Sequence, residues 1–413
     1  MSNKTTRLLH LANHHSTNIG NGALISGTER VLREDFATSI KFENEPWDDY
    51  NFVPDKRFNR SFVERVNAHD ALLVGAAIAI NGRRYLSNAG MRLDLPVSLW
   101  PEIRRPVVFY GISYRCWPYQ RYYHLDKFKE LMEYLLSAPN VLFSLRNDGT
   151  KLWLERTLGY PLVGIEEIPD PALFVETESG FHPQLAAGKK NIIVALNNED
   201  EVFRFGGAAR ELVWRLLGKH VEEATLVKLW QSVPDWRARR RRLVKRLAAA
   251  IEKISAQWDA NFILCPHYLD DFKIIGELFD ELPPKVAHQN TVSFGLLKVP
   301  HSAHFYDLYA KADLAISMRV HSMSPSIGVG TPMIALSTQP RLDVFMNDAG
   351  LGRHLLNTFD PDLTEKLASL ANEILADPNP VKERFARTRE EMRLRTAKFN
   401  RTMEDFIVDK LGA

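Results

Sequence analysis

Apolar runs of strand length alternate with amphipathic stretches along the whole chain. In the first half these runs are Arg7 to Ala12, Ala71 to Ala77, Val107 to Ile112 and Val141 to Leu145. Helical spacing appears over Ala23 to Arg33 and Leu125 to Leu136. Such a βαβ rhythm predicts a parallel sheet covered on both faces. A polar stretch, Phe181 to Lys190, interrupts it, and the rhythm then restarts. Strands are expected at Asn191 to Leu196, Phe262 to Cys265, Val292 to Leu296, Leu314 to Met318 and Met333 to Leu336, with a long helical region over Leu212 to Gln257. From Pro380 to Leu411 the pattern predicts one or two charged amphipathic helices.

Two Rossmann-like halves in series place the boundary near residue 185. The expected fold is α/β, with domains over 1–185 and 186–413 facing a central cleft, C-terminal helices in the second, and the two-domain GT-B architecture overall. A length of 413 residues suits two domains. A net charge of +2 and the lack of an RNA-recognition or zinc-finger motif argue against nucleic acid as a partner. Two cysteines, Cys116 and Cys265, exclude a disulfide framework and a Cys-rich zinc site. No signal peptide is expected, and the longest apolar run, Ala71 to Ile80, is too short to span a bilayer, so a cytoplasmic location is expected.

Candidate chemistry concentrates between Ala312 and Leu351. An apolar strand runs into Arg319-Val320-His321, a Ser-rich helix start, a Gly330-Thr331-Pro332 turn and another strand. Ligands of parallel sheets sit at the carboxyl ends of strands, where Arg319 and His321 fall. Extended backbone would put Ser317, Arg319 and His321 on one face. A helix opening at Ser322 or Ser324, with Pro325 in its first turn, would add free N–H groups suited to a phosphate or carboxylate.

Other strand ends repeat the theme. Asn13 to Gly22 is a polar loop in which Asn18 and Asn21 offer donors and acceptors, while Gly20 and Gly22 allow close approach to a ligand. It lacks the Lys-Ser/Thr of a P-loop, and its third glycine is displaced to Gly27. His14 and His15 have no accompanying metal-ligand spacing, so no metal is expected. Arg146, in Ser144-Leu145-Arg146-Asn147-Asp148, occupies the place in the first half that Arg319 has in the second. His267 follows another strand, and Arg341 lies in the loop after the last strong one. A basic run, Arg237 to Arg246, holds seven Lys or Arg in ten positions. It reads first as a solvated helix face, and otherwise as a peripheral contact with an anionic inner-membrane surface or a lipid-linked acceptor.

These segments together resemble the polysaccharide pyruvyl transferase family, most closely over Asp313 to Leu351. Further anchors are Asn18-Ile19-Gly20-Asn21, Ser144 to Asp148 and Pro169-Asp170-Pro171-Ala172. The resemblance implies a GT-B-like enzyme that moves pyruvate from phosphoenolpyruvate onto a sugar as a ketal and releases phosphate. The acceptor would be a polysaccharide sugar or a lipid-linked precursor, and the first domain its side. Phosphoenolpyruvate would act as co-substrate with no cofactor. His321 would be the general acid, Arg319 and Arg146 would hold the anions, and Asn18 and the Gly20 to Gly22 backbone would bind acceptor or phosphate. Two departures stand out. Gly75-Ala76-Ala77 replaces consecutive glycines common in the family, and Arg341 stands where a Lys is frequent. The alternative is a glycosyltransferase of the same fold using a nucleotide-sugar donor, with an epimerase as a variant. A non-catalytic binding protein is the third reading.

Overall fold

A computed structural model describes residues 5–53, 55–117, 120–206, 216, 221, 223–232 and 235–412. The first sheet contains β1 (Thr5–Ala12), β2 (Ser39–Pro46), β3 (Ala71–Val74), β4 (Ile78–Ile80), β5 (Val107–Tyr114), β6 (Val141–Arg146) and β7 (Glu166–Ile168). Their order is β2-β1-β3-β5-β6-β7, with β4 paired to β5. The second contains β8 (Lys190–Ala195), β9 (Ala260–Leu264), β10 (Thr291–Ser293), β11 (Leu314–Ser317), β12 (Met333–Ser337) and β13 (Leu355–Asn357), ordered β10-β9-β8-β11-β12-β13. Every strand pairing is parallel. The expected α/β fold of two Rossmann-like units is therefore present.

Central strands β3, β11 and β12 are buried at every position, which is why they read as unbroken apolar runs. Strands β2 and β13 lie at sheet edges and are mostly half-buried, so their polar sequences gave no such signal. Strand order reverses beside β1 in the first sheet and beside β8 in the second. Crevices at such reversals are where open α/β sheets bind ligands.

Five helices bear on the site: α1 (Ile19–Asp35), α2 (Asp235–Gln257), α3 (Ser302–Ala310), α4 (Val320–Val329) and α5 (Asn379–Gly412). Helix α1 starts four residues before the expected Ala23, because Asn18 caps it by accepting from Gly20 N at 3.1 Å. Gly20 and Gly22 are thus helical and not part of a ligand-holding loop. Helix α5, assigned by sequence to the second half, packs back on the first domain. Tyr110 Oη donates to Asn400 at 2.9 Å, and Arg393 pairs with Asp35 at 2.5 Å.

Part of the expected helical region 212–257 lies outside the described residues; the remainder forms Glu223–Gln231 and α2. The basic run divides. Arg241, Arg242 and Lys245 face solvent, whereas Arg240 turns inward to Glu201 and Glu277. Among the described residues no helix is long and apolar enough to cross a membrane.

Candidate functional site

The carboxyl ends of the two sheets converge on a cavity of about 590 Å3. Its wall takes Asn13 and Asn18 after β1, Asp48 after β2, Arg115 after β5, Arg146 from β6, Glu199 after β8, Arg319 and His321 after β11, and Arg341 after β12.

His321 is held from three directions. Helix α4 opens at Val320, so His321 occupies its first turn and its direction follows helical geometry. Pro325 therefore sits inside the helix and not at the expected first-turn position. Having no N–H, Pro325 leaves the His321 carbonyl without its helical donor. Tyr306 Oη of α3 supplies the missing bond at 2.6 Å. Across the domain gap, Gly20 of α1 abuts the imidazole; a Cβ there would stand 2.5 Å from His321 Nδ1. Behind the ring, His321 Nε2 lies 3.6 Å from Asp170 Oδ2.

Asp170 is fully buried and caps the turn Pro171–Phe174 by accepting from Ala172 N at 2.9 Å. Its other oxygen meets Arg146 Nη1 at 3.1 Å. Burial pushes the Asp170 carboxyl up, but the Arg146 and His321 charges more than reverse this and hold it well below the usual range. Arg146 also donates to the Ala76 carbonyl at 2.9 Å, while its Nε is buried without a partner. Two expected site residues, one from each half, are thus joined through Asp170. The sequence marked Asp170 only as part of a family anchor.

Arg319 lies on the cavity wall with its guanidinium committed. Nε and Nη2 donate to Asp271 at 2.8 and 2.6 Å, and Nη1 donates to Glu199 at 2.8 Å. Burial lowers its pKa, and the two carboxylates outweigh that and raise it overall. The expected anion-holding Arg319 is here a buried strut. Arg341 is likewise engaged: from the second domain it bridges to Asp148 of the first at 2.5 Å and to Ser113 Oγ at 2.6 Å. Asp148 pairs with Arg341 and not with its sequence neighbour Arg146.

Glu199 and Asp200 gather further cations. Asp200 accepts from Arg115 Nη2 at 2.5 Å and from Trp117 Nε1 at 2.9 Å, so the second domain is cross-linked to the first. At φ 53°, it is the one non-glycine residue among those described with positive φ. Asp tolerates that region better than most side chains, and strain of this kind clusters at functional sites.

Among the described residues seven arginines line the cavity: Arg83, Arg92, Arg115, Arg146, Arg204, Arg319 and Arg341. Five meet a carboxylate within 4.0 Å. Among the described residues Arg92 and Arg204 do not, and neither carries a signal in the sequence. Arg204 is buried, donates to Thr338 Oγ1 at 2.6 Å and to the Glu199 carbonyl at 3.0 Å, and lies 5.3 Å from the Trp117 ring. Burial and then the neighbouring Arg319 charge pull its pKa down to about 10. Arg319 already has its carboxylates, whereas Arg204 is a buried cation with no carboxylate in salt-bridge reach among the described residues, an arrangement that favours an incoming anion there.

The remaining expected residues separate clearly. Asn18 and Asn21 line the cavity; Asn21 Oδ1 also accepts from Asn13 at 3.4 Å. Gly20 serves close packing against His321. Ser317 is turned into the protein, where its hydroxyl caps the elbow by accepting from Arg319 N at 3.0 Å. The expected common face of Ser317, Arg319 and His321 is broken by the helix start at Val320. His267 is a core histidine, packed against Phe305 and Tyr309 with Nε2 2.8 Å from Tyr309 Oη. Burial, then the charges of Arg319 and His321, push its pKa well down. It contributes through its backbone, whose carbonyl accepts from Ile19 N at 3.1 Å and ties α1 to the second domain.

The polysaccharide pyruvyl transferase family model matches residues 18–340, and the chain belongs to that family. No curated protein is a detectable relative by sequence. Among solved structures, the chain is similar to apo OtsA (11% identity, 98% of this chain and 99% of that one, TM-score 0.49). It is also similar to E. coli ADP-heptose LPS heptosyltransferase II (11%, 91% and 100%, TM-score 0.48). A third is UDP-GlcNAc 2-epimerase from Neisseria meningitidis bound to UDP-GlcNAc (10%, 93% and 94%, TM-score 0.47).

Proposed function

We propose that the protein transfers pyruvate from phosphoenolpyruvate to two hydroxyls of a sugar, forming a ketal and releasing phosphate. The observation that carries this reading is His321, fixed on the cavity wall by Tyr306, Gly20 and Asp170. An imidazole oriented by a carboxylate is suited to general acid catalysis.

In this reading His321 protonates the methylene carbon of phosphoenolpyruvate, which leaves a cationic centre at C2. One sugar hydroxyl adds to C2 and loses its proton, phosphate departs with the C2–O pair, and a second hydroxyl closes the ketal. The product carries the new methyl group; the sugar has given up two protons. Phosphate would sit against the opening turn of α4, whose Val320 and His321 line the cavity, with Arg204 as the uncommitted cation of the second domain. Asn13, Asn18 and Asn21 offer the first-domain polar wall for sugar hydroxyls.

The test is phosphate release from phosphoenolpyruvate that depends on an added sugar or lipid-linked oligosaccharide, with a new pyruvate methyl signal in the product. Turnover that requires a nucleotide sugar and ignores phosphoenolpyruvate overturns the proposal in favour of glycosyl transfer.

A further inference from the structure

We infer that Arg92 marks a subsite for an anionic group on the acceptor sugar. This rests on the pyruvyl-transfer reading of the cavity and names the acceptor's chemical class. Arg92 stands in the irregular segment between β4 and β5, on the first-domain side of the cavity. It is rigidly placed. Its backbone N donates to Ala79 O at 2.9 Å, and its carbonyl accepts from Trp47 Nε1 at 3.2 Å. The guanidinium lies 4.8 Å from the ring of Trp47, itself fully buried. Nη2 donates to Asn13 Oδ1 at 2.9 Å and Nη1 to the Ile78 carbonyl at 3.3 Å.

All of those partners are neutral. No carboxylate comes within salt-bridge distance of Arg92 among the described residues. Asp48, also on the wall, attracts it from further away and has an oxygen, Oδ2, buried without a partner. Burial, with Arg115 adding like charge, lowers the Arg92 pKa despite Asp48 and Tyr85. A preplaced, desolvated cation of this kind gains most from an anion that completes its shell. Its neighbours on the wall, Asn13, Asn21, Asn81 and Tyr85, have the amides and hydroxyl that suit sugar hydroxyls. The donor's own charges have Arg204 and the start of α4 on the opposite domain. Arg92 is therefore left for the acceptor, whose anion is a ring carboxylate or a glycosyl phosphate.

The experiment measures binding to the full chain by calorimetry without phosphoenolpyruvate. The probes are methyl glucuronide and methyl galacturonide, glucose 1-phosphate and galactose 1-phosphate, and the neutral methyl glucoside and galactoside. One anionic type is expected to bind at least about ten-fold tighter than its neutral counterpart, weakening with salt. Preference for the uronides identifies a uronate acceptor, and preference for the phosphates a glycosyl-phosphate acceptor. Arg92→Gln should erase the preference and leave phosphoenolpyruvate affinity unchanged, while Arg92→Lys should keep part of it. Equal binding of charged and neutral probes overturns the inference. So does a preference that survives Arg92→Gln, or a loss of phosphoenolpyruvate affinity in its place. An anionic preference that depends on Arg92, in a protein that shows no sugar-dependent phosphate release, supports the subsite and refutes the donor assignment.

Discussion

His321 and Asp170 meet across the two domains, Nε2 to Oδ2 at 3.6 Å, and the carboxylate is wholly buried. The same oxygen faces Arg146 at 3.1 Å, so the imidazole is aligned only when both lobes are docked. This makes Asp170 a positioning residue that acts through His321. Asp170→Asn keeps the side-chain shape and the oxygen that accepts from Ala172 N. It should lower kcat by about 10- to 100-fold with little change in phosphoenolpyruvate affinity. It should also destabilise the fold by roughly 3 kcal/mol or more, because Arg146 loses its counter-charge in the interior. His321→Ala should cost more activity, and adding Asp170→Asn to it should change kcat little further. Additive losses in that double variant, followed by phosphate release, would refute the coupling.

Arg319 and Arg204 stand on the same wall with opposite commitments, and two substitutions separate them. Arg319→Gln strands Asp271 and Glu199, both drawn to that guanidinium, and should reduce unfolding free energy by about 3–5 kcal/mol. Among the described residues Arg204→Gln removes no ion pair, only the bonds to Thr338 and the Glu199 carbonyl. It should lower the urea midpoint far less than Arg319→Gln and weaken phosphate or phosphoenolpyruvate binding by about 10-fold or more, the worth of a charge-assisted contact. Calorimetry and urea titration of both variants check the pair. A stable Arg319→Gln that fails to bind would return Arg319 to an anion-holding role.

Gly20 gives a steric test of the same alignment. A methyl group there meets the His321 ring at 2.5 Å, inside any ordinary contact distance. Gly20→Ala improves helix propensity in α1, so propensity alone predicts a gain. The expected outcome is the reverse: a loss of about 1–3 kcal/mol from overpacking, with activity falling sharply because His321 is the movable partner. Thermal melts and kcat together decide it, and a more stable, fully active variant would mean that the domains rest further apart.

Much of this was legible in sequence because burial writes itself locally. The strands β1, β6 and β11 read as largely apolar runs, and the polar residues at or just beyond their ends include Asn18, Arg146 and His321. What local pattern cannot encode is which polar end faces the cavity and which turns inward. Ser317 and His267 share the strand-end position and yet are core groups. Arg319 finds its partners in Asp271, at the start of the helix after β9, and Glu199, after β8, a pairing set by sheet order. Arg92 and Arg204 sit in irregular or short elements with no periodic signal, so the absence of a salt-bridge partner for either among the described residues emerges only in three dimensions. Glycines at 20 and 22 read as ligand contacts, though helix packing is what they serve; a hydrogen-bonded cap at Asn18 decides between the two.

Asp200 supplies a pH test of the domain junction. Burial raises its carboxyl pKa, and Arg115, Trp117 and Arg83 reverse this, leaving it at about 2. An unfolded Asp titrates near ~3.9. The folded state thus binds the proton less readily than the unfolded state. The group's stabilisation is complete above the unfolded pKa and is lost as pH falls toward the folded one. Above the unfolded pKa it amounts to something on the order of 2 kcal/mol. Asp200→Asn retains the tolerance for positive φ and the size of the side chain, so it removes the charge alone. The variant should be less stable than the parent at pH 7. The gap should narrow as pH is lowered from about 5 toward 3, because only the parent still has this proton to take up. Urea unfolding of both proteins at matched pH values measures it. Parallel curves over that range would show that Asp200 is not held in the ionised form by the cations of the first domain, and that the two lobes are joined there by packing instead.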